Sequence, residues 1–105
     1  MIRHLVHLKF RDDVDDAAKI ALFDRLAGLN SRIEGILDFQ HRNNVSVETD
    51  LVRGFLDIFW FDFRDAAVRD AYLVDEVHQQ IGGDILACLD GGADGVFVCD
   101  FEIQA

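Results

Sequence analysis

Residues 54–63, Gly-Phe-Leu-Asp-Ile-Phe-Trp-Phe-Asp-Phe, constrain the fold more than any other stretch of the chain. Aromatic and β-branched residues at this density favour an extended strand. Strand side chains alternate between faces, so Asp57, Phe59, Phe61 and Phe63 share one face and Leu56, Ile58, Trp60 and Asp62 the other. Both sets are largely apolar. A strand of this kind needs cover on both faces, and one layer of helices supplies only one of them.

The other elements follow from periodicity. Residues 2–10 alternate as a first strand, with Ile2, His4, Val6, Leu8 and Phe10 on one face and Arg3, Leu5, His7 and Lys9 on the other. The charged turn from Arg11 to Asp16 leads into a helix over about 16–31, where Asp15 or Asp16 is placed to cap and Ile20, Leu22, Phe23, Leu26, Ala27 and Leu29 form an apolar stripe. Residues 37–45 read as a second strand and 54–63 as a third. Helical spacing returns over 64–73, with Ala67, Val68, Ala71 and Tyr72 on one stripe. It resumes over about 75–89, with Val77, His78, Ile81, Ile85 and Leu89. Residues 95–103 are the last strand. The order is βαββαβ, a ferredoxin-like α+β fold with an antiparallel sheet, expected as one domain over 1–105. Helices cover the face bearing His4, Phe59 and Val98. The other carries Leu5, Leu56, Ile58, Trp60, Phe97 and Phe101, a patch that marks an interface. Two such sheets packed face to face make a homodimer, a dimeric α/β barrel.

Composition limits the partners. Half the residues are hydrophobic, including nine Phe, which excludes disorder. Twenty acidic against ten basic residues leave a net charge of −10. That is the opposite of a nucleic-acid footprint and disfavours anionic membrane surfaces. No apolar run approaches the length of a membrane span, and the first residues read directly as a strand rather than a signal peptide, so a cytoplasmic location is expected. Cys88 and Cys99 have no metal spacing and read as reduced thiols. Gly82-Gly83 is no phosphate loop, since no Lys-Ser/Thr follows. The acidic run Asp12-Asp13, Asp15-Asp16 lacks the alternation of a calcium loop. No metal and no cofactor is expected.

Several segments together carry a resemblance. They are Ile2-Arg3-His4-Leu5-Val6-His7-Leu8-Lys9-Phe10, Gly35-Ile36-Leu37, Asn44-Val45-Ser46, Gly54-Phe55, Ala71-Tyr72-Leu73-Val74 followed by His78, and Val98-Cys99-Asp100-Phe101. In this order the chain resembles the stress-responsive A/B barrel (Dabb) family of dimeric α/β barrels over essentially its whole length. That family includes oligomeric stress-induced proteins and cofactor-free polyketide cyclases. In the cyclases, the positions matching Tyr72 and His78 carry catalysis. The resemblance therefore implies His78 as a base and Tyr72 as an oxyanion donor or substrate orienter. Asp75-Glu76-Val77 stands where the family often has His-Pro ahead of that histidine.

The residues themselves add to this. His4, Asp57 and Asp100 share strand parity with apolar neighbours on the helix-facing side, and buried polar groups need partners. A His paired with a carboxylate suits acid/base work near neutrality. The catalytic set expected is His78, Tyr72 and Asp100, with Asp100 holding His78 in one tautomer. His4, Asp57, Phe23, Leu26, Phe59 and Val98 are expected to line the substrate cavity. A plainer alternative stays open: His78 satisfies buried backbone groups, Tyr72 is core, His4 is a satisfied strand-start residue, and Asp57 sits either in the cavity or at a solvated strand end. Two readings of function follow. One is a cofactor-independent acid/base enzyme, of cyclase, lyase or isomerase type, acting on a small, partly apolar carbonyl compound. The other is a non-catalytic stress-response or small-ligand-binding homodimer.

Overall fold

The computed structural model describes residues 1–104. Its elements run β1 (Ile2–Leu8), α1 (Asp16–Ala27), β2 (Ile36–Asn43), α2 (Thr49–Val52), β3 (Asp57–Phe63), α3 (Ala66–Val74), α4 (Glu76–Leu86) and β4 (Val96–Glu102). Short 3₁₀ turns at Gly28–Ser31 and Gly92–Gly95 follow α1 and precede β4. The four strands form one sheet in the order β2-β3-β1-β4. Every neighbouring pair is antiparallel. This is the ferredoxin-like α+β fold.

Alternation sets which residues become core. On β1 His4, Val6 and Leu8 are buried; on β3 Asp57, Phe59, Phe61 and Phe63 are. Against them α1 lays Leu22, Phe23 and Leu26, α3 lays Val68 and Tyr72, and α4 lays Ile81 and Ile85. Fully burying side chains of this size is worth roughly 1.5–3 kcal/mol each, before the entropy of ordering them. Gly35 opens β2 with φ +97, and a Cβ there would collide with Val68. Glycine is thus required on two counts, conformation and close packing.

The elements differ from the sequence reading mainly at their ends. β1 stops at Leu8, with Phe10 making only an isolated bridge to Leu89. β3 begins at Asp57 rather than Gly54, because Gly54 adopts φ +81 and ends the turn after α2. The one-turn helix α2 was unforeseen in the turn-rich stretch. Asp15 caps α1 through Ala18, and Asp65 caps α3 through Val68. Asp75 ends α3 and starts α4, its carboxylate accepting from the backbone N–H of His78. An N-terminal carboxylate satisfies an otherwise orphaned donor and suits the helix dipole. The segment Asp75-Glu76-Val77 therefore supplies a helix start of its own.

The outer face of the sheet is mixed rather than uniformly apolar. Leu56, Phe97 and Phe101 are exposed. Trp60 is partly covered by the guanidinium groups of Arg3 and Arg42, whose carbons lie 5.4 and 5.7 Å from its ring centre. Beside them Arg3 grips Asp62 with two hydrogen bonds, 2.8 and 3.0 Å. Among the described residues no helix is long and apolar enough to cross a membrane.

Candidate active site

The helices cover β3 and β1 but leave the inner face of β4, one of the two edge strands, partly bare. Val98 shares its face with Val6 yet is 50% exposed. The gap between β4 and α3–α4 is a cleft of about 490 Å³. His4, Tyr72, His78 and Asp100 converge on it, and Leu26, Phe59 and Val98 contribute apolar wall. Of the nine residues expected at the site, these seven come together.

His4 and Asp100 are directly opposed in the β1–β4 register. The His4 side chain, 5% exposed as a residue, places Nδ1 2.7 Å from Asp100 Oδ1. The other carboxylate oxygen accepts from Arg69 Nη1 at 2.8 Å. Burial pushes the Asp100 carboxyl up, but the hydrogen bonds from Arg69 and His4 outweigh it and the net shift is downward. Asp100 is therefore an ionised acceptor at neutral pH. Its bond requires the proton on His4 Nδ1 and so fixes the orientation of the ring.

Tyr72 is 1% exposed, held between Phe61 and Phe63 with ring centres 4.9 and 5.0 Å away. His4 meets it edge-on at 5.4 Å, and the His78 ring lies at 3.8 Å. Burial, with the Asp100 charge adding to it, pushes the phenol well above its usual range, so Tyr72 stays protonated. His78 is half-buried; its Nδ1 is buried without a hydrogen-bond partner. Burial first, and then the neighbouring His4, lower its pKa; the Asp75 carboxylate and the backbone of Tyr72, as a hydrogen-bond partner, act in the opposite direction. A neutral imidazole acceptor and a protonated phenol thus stand side by side, the pair needed to take one proton and hydrogen-bond a developing oxyanion.

Three expectations require correction. Asp100 is bonded to His4 and Arg69 rather than to His78, because the strand register sets His4 opposite it. Asp57 shares the right face but sits at the far end of β3, opposite Leu8, where Lys19 pairs with it at 3.1 Å. Phe23 lies beside it, stacked on His41 at 4.5 Å. Both line a separate hollow of about 370 Å³ along α1 and β2. Arg69 went unrecognised, since an arginine on an exposed helix face carries no pattern of its own. Gln79, Gly82 and Gly83 also border the cleft. A third hollow, about 650 Å³, lies by His7 and Phe97 near α2; His7 Nδ1 is buried there without a partner. Among the described residues no group of three or more His, Cys, Asp or Glu is arranged to hold a metal ion.

Comparison with known proteins agrees with this fold. Residues 2–103 match the family described as Stress responsive A/B Barrel Domain (Dabb). A solved structure from Jannaschia sp. CCS1, described as a dimeric ferredoxin-like protein of unknown function, is 31% identical with a TM-score of 0.87, the match covering 97% of this chain and 98% of that one. An Arabidopsis thaliana protein is 25% identical with the same TM-score, covering 100% and 97%. A hydroxynitrile lyase from Passiflora edulis shares the fold at 10% identity, with a TM-score of 0.82 and coverage of 98% and 93%. No curated protein matches the sequence.

Proposed function

The chain belongs to the stress-responsive A/B barrel family, and on that premise we propose that its cleft takes a small, partly apolar carbonyl compound and moves a proton on it without a cofactor. One observation carries this reading: His78, a protonated Tyr72 and the oriented His4–Asp100 pair all border one largely apolar cleft. His78 is the base, drawing a proton from carbon next to the carbonyl. Tyr72 donates a hydrogen bond to the oxygen that gains charge. His4, with its tautomer fixed by Asp100, is the second proton carrier. Acid and base are both side chains, so no metal or cofactor is needed. The likeness to the Passiflora edulis lyase concerns the fold alone, and the acid/base reading rests on the cleft's own residues.

A second reading has its own support. Both Asp100 oxygens are committed, to His4 and to Arg69, so the carboxylate also ties the edge strand to α3. A binding protein without chemistry would use it in that way. Under either reading the working unit is a homodimer paired through the outer sheet face, supported by the exposure of Leu56, Phe97 and Phe101 and by the dimeric description of the Jannaschia relative. A cytoplasmic setting, as the sequence suggests, completes the proposal.

The two readings separate in one experiment. Small ketones and 1,3-diketones are incubated with the protein in D₂O, and exchange at the carbon beside the carbonyl is followed by NMR. The enzyme reading expects exchange above buffer, falling by about 10²-fold or more in His78→Ala, the scale of general acid–base catalysis. Binding without accelerated exchange for any compound would refute catalysis and leave the binding protein.

A further inference from the structure

Tyr72 and His78 belong to different helices, yet their rings lie 3.8 Å apart, tilted by 32°. The join between α3 and α4 therefore decides whether the two side chains act as a pair. One residue makes that join. Asp75 has φ −66 and ψ 128, a single step of extended backbone between two helices. The surrounding sequence does not force it. The chain contains no proline, and the nearest glycine on the α4 side is Gly82, well inside that helix. Residues 73–78, Leu-Val-Asp-Glu-Val-His, hold nothing that forbids a continuous helix.

Side-chain bonds hold the break instead. Asp75 Oδ1 accepts from the backbone N–H of His78 at 2.9 Å and so caps α4. Arg32, in the turn between α1 and β2, donates from Nε to both oxygens of the same carboxylate, at 2.9 Å to Oδ2 and 3.2 Å to Oδ1. The hydrogen bond from the His78 backbone, and then the one from Arg32, outweigh burial and hold the Asp75 carboxyl below the usual carboxylate range. The Asp75 side chain is 14% exposed, so little water competes for it. Longer bonds brace the other side of the join, from Asp75 N–H to the Tyr72 carbonyl at 3.2 Å and from Gln79 Nε2 to the Leu73 carbonyl at 3.3 Å.

We propose that Arg32, which does not itself border the cleft, is a positioning residue for the candidate active site: it clamps Asp75 in the rotamer that caps α4, and the break so held keeps the Tyr72 and His78 rings together. An ordinary surface ion pair adds a little stability and nothing else. This one acts on the single residue at which the helix is interrupted. The clamp itself is geometric; its bearing on proton transfer rests on the reading of Tyr72 and His78 proposed above.

The test uses the whole protein and follows nuclear Overhauser contacts between the Tyr72 and His78 rings, together with the ring-proton shifts of His78. Arg32→Met should weaken those contacts and move the His78 signals toward those of a free histidine. Arg32→Lys, which keeps a cation beside Asp75, should retain most of the contact. Glu76→Pro, added to Arg32→Met, should restore it. Proline suits the first position of a helix, and it confines the residue before it to the extended region that Asp75 already occupies. Where the D₂O exchange described above is present in the wild type, it should fall about fivefold in Arg32→Met, the upper limit for a partly exposed ion pair, and return with the proline. If Arg32→Met lowers the melting temperature but leaves the ring contacts and His78 shifts as they were, Arg32 is a structural surface residue and the proposal is overturned. Contacts that are lost but not restored by Glu76→Pro overturn it as well. Should Arg32→Met fail to fold, Arg32→Lys with and without Glu76→Pro carries the same comparison: a partial loss that proline repairs supports the clamp, and unchanged contacts overturn it. If no exchange occurs in the wild type, the catalytic reading falls while the ring contacts still decide the clamp.

Discussion

Arg3 and Asp62 offer the sharpest test of what stabilises this sheet. They are opposed across β1 and β3, joined by two hydrogen bonds of 2.8 and 3.0 Å, and Asp62 is only 4% exposed. Arg3→Leu leaves that carboxylate without its partner. Breaking a buried ion pair from one side costs about 3–5 kcal/mol. The Arg3 side chain is 32% exposed in the single protomer, which places the cost just below that range, at about 2–3 kcal/mol. Unfolding entropy of about 2.1 cal/mol/K per residue makes each kcal/mol worth about 4–5 °C here, so the melting temperature should fall by about 10 °C. Asp62→Leu should cost less, about 1–2 kcal/mol, because the freed guanidinium keeps its place over the Trp60 ring. The double variant should be milder than Arg3→Leu alone, about 1 kcal/mol, giving a coupling of at least about 2 kcal/mol. Urea and thermal unfolding followed by circular dichroism, at one fixed protein concentration, measure all three. Additivity of the two single changes to within about 0.5 kcal/mol would refute the reasoning.

Other consequences are equally direct. His78 has a folded-state pKa below its ordinary 6.5, so the folded state binds protons less readily than the unfolded chain between those values. Its contribution to stability is complete above pH 6.5 and is lost as pH falls toward the lowered value; His78→Gln should flatten the stability profile there, and an unchanged slope would contradict the assignment. Trp60→Glu puts a charge into the proposed pairing face and should yield monomer, or unfolded chain, in sedimentation; a wild-type protein that sediments as a stable monomer would overturn the pairing. Chelator and reductant should each leave the melting temperature unchanged, and a large loss under either would expose a metal or disulfide role for the His or Cys residues.

Much of the fold was legible because alternation is a local property. The even positions of residues 2–8 and the odd positions of 57–63 face the helices as their pattern implies. Helix spacing likewise placed Tyr72 and His78 inward, and the break between them was marked by Asp75. Parity says which face a side chain takes, but not how far along the sheet it lies. That is why Asp57 and Phe23 were grouped with a cleft they do not border. Partners across strands depend on register, so Asp100 could be placed beside the site but not assigned to His4. The exposure of Val98 depends on strand order, since only an edge strand escapes the helices. Asp62 was assigned to the outer face by parity, but its near-complete burial rests on Arg3 opposite, another consequence of register.

The shared cap at Asp75 also limits how this chain can change over generations. Tyr72 and His78 are six positions apart, and in an unbroken helix they would point about 120° away from each other around the axis. Their rings lie 3.8 Å apart because the chain leaves helical geometry at one residue, with ψ 128 at Asp75. One residue inserted into the last turn of α3 or the first of α4 would turn one ring by about 100° relative to the other while sparing both helices. Lineages that keep this chemistry should therefore tolerate substitutions throughout these helices yet reject length changes near Asp75, while the loop around α2, far from the cleft, remains free to gain or lose residues.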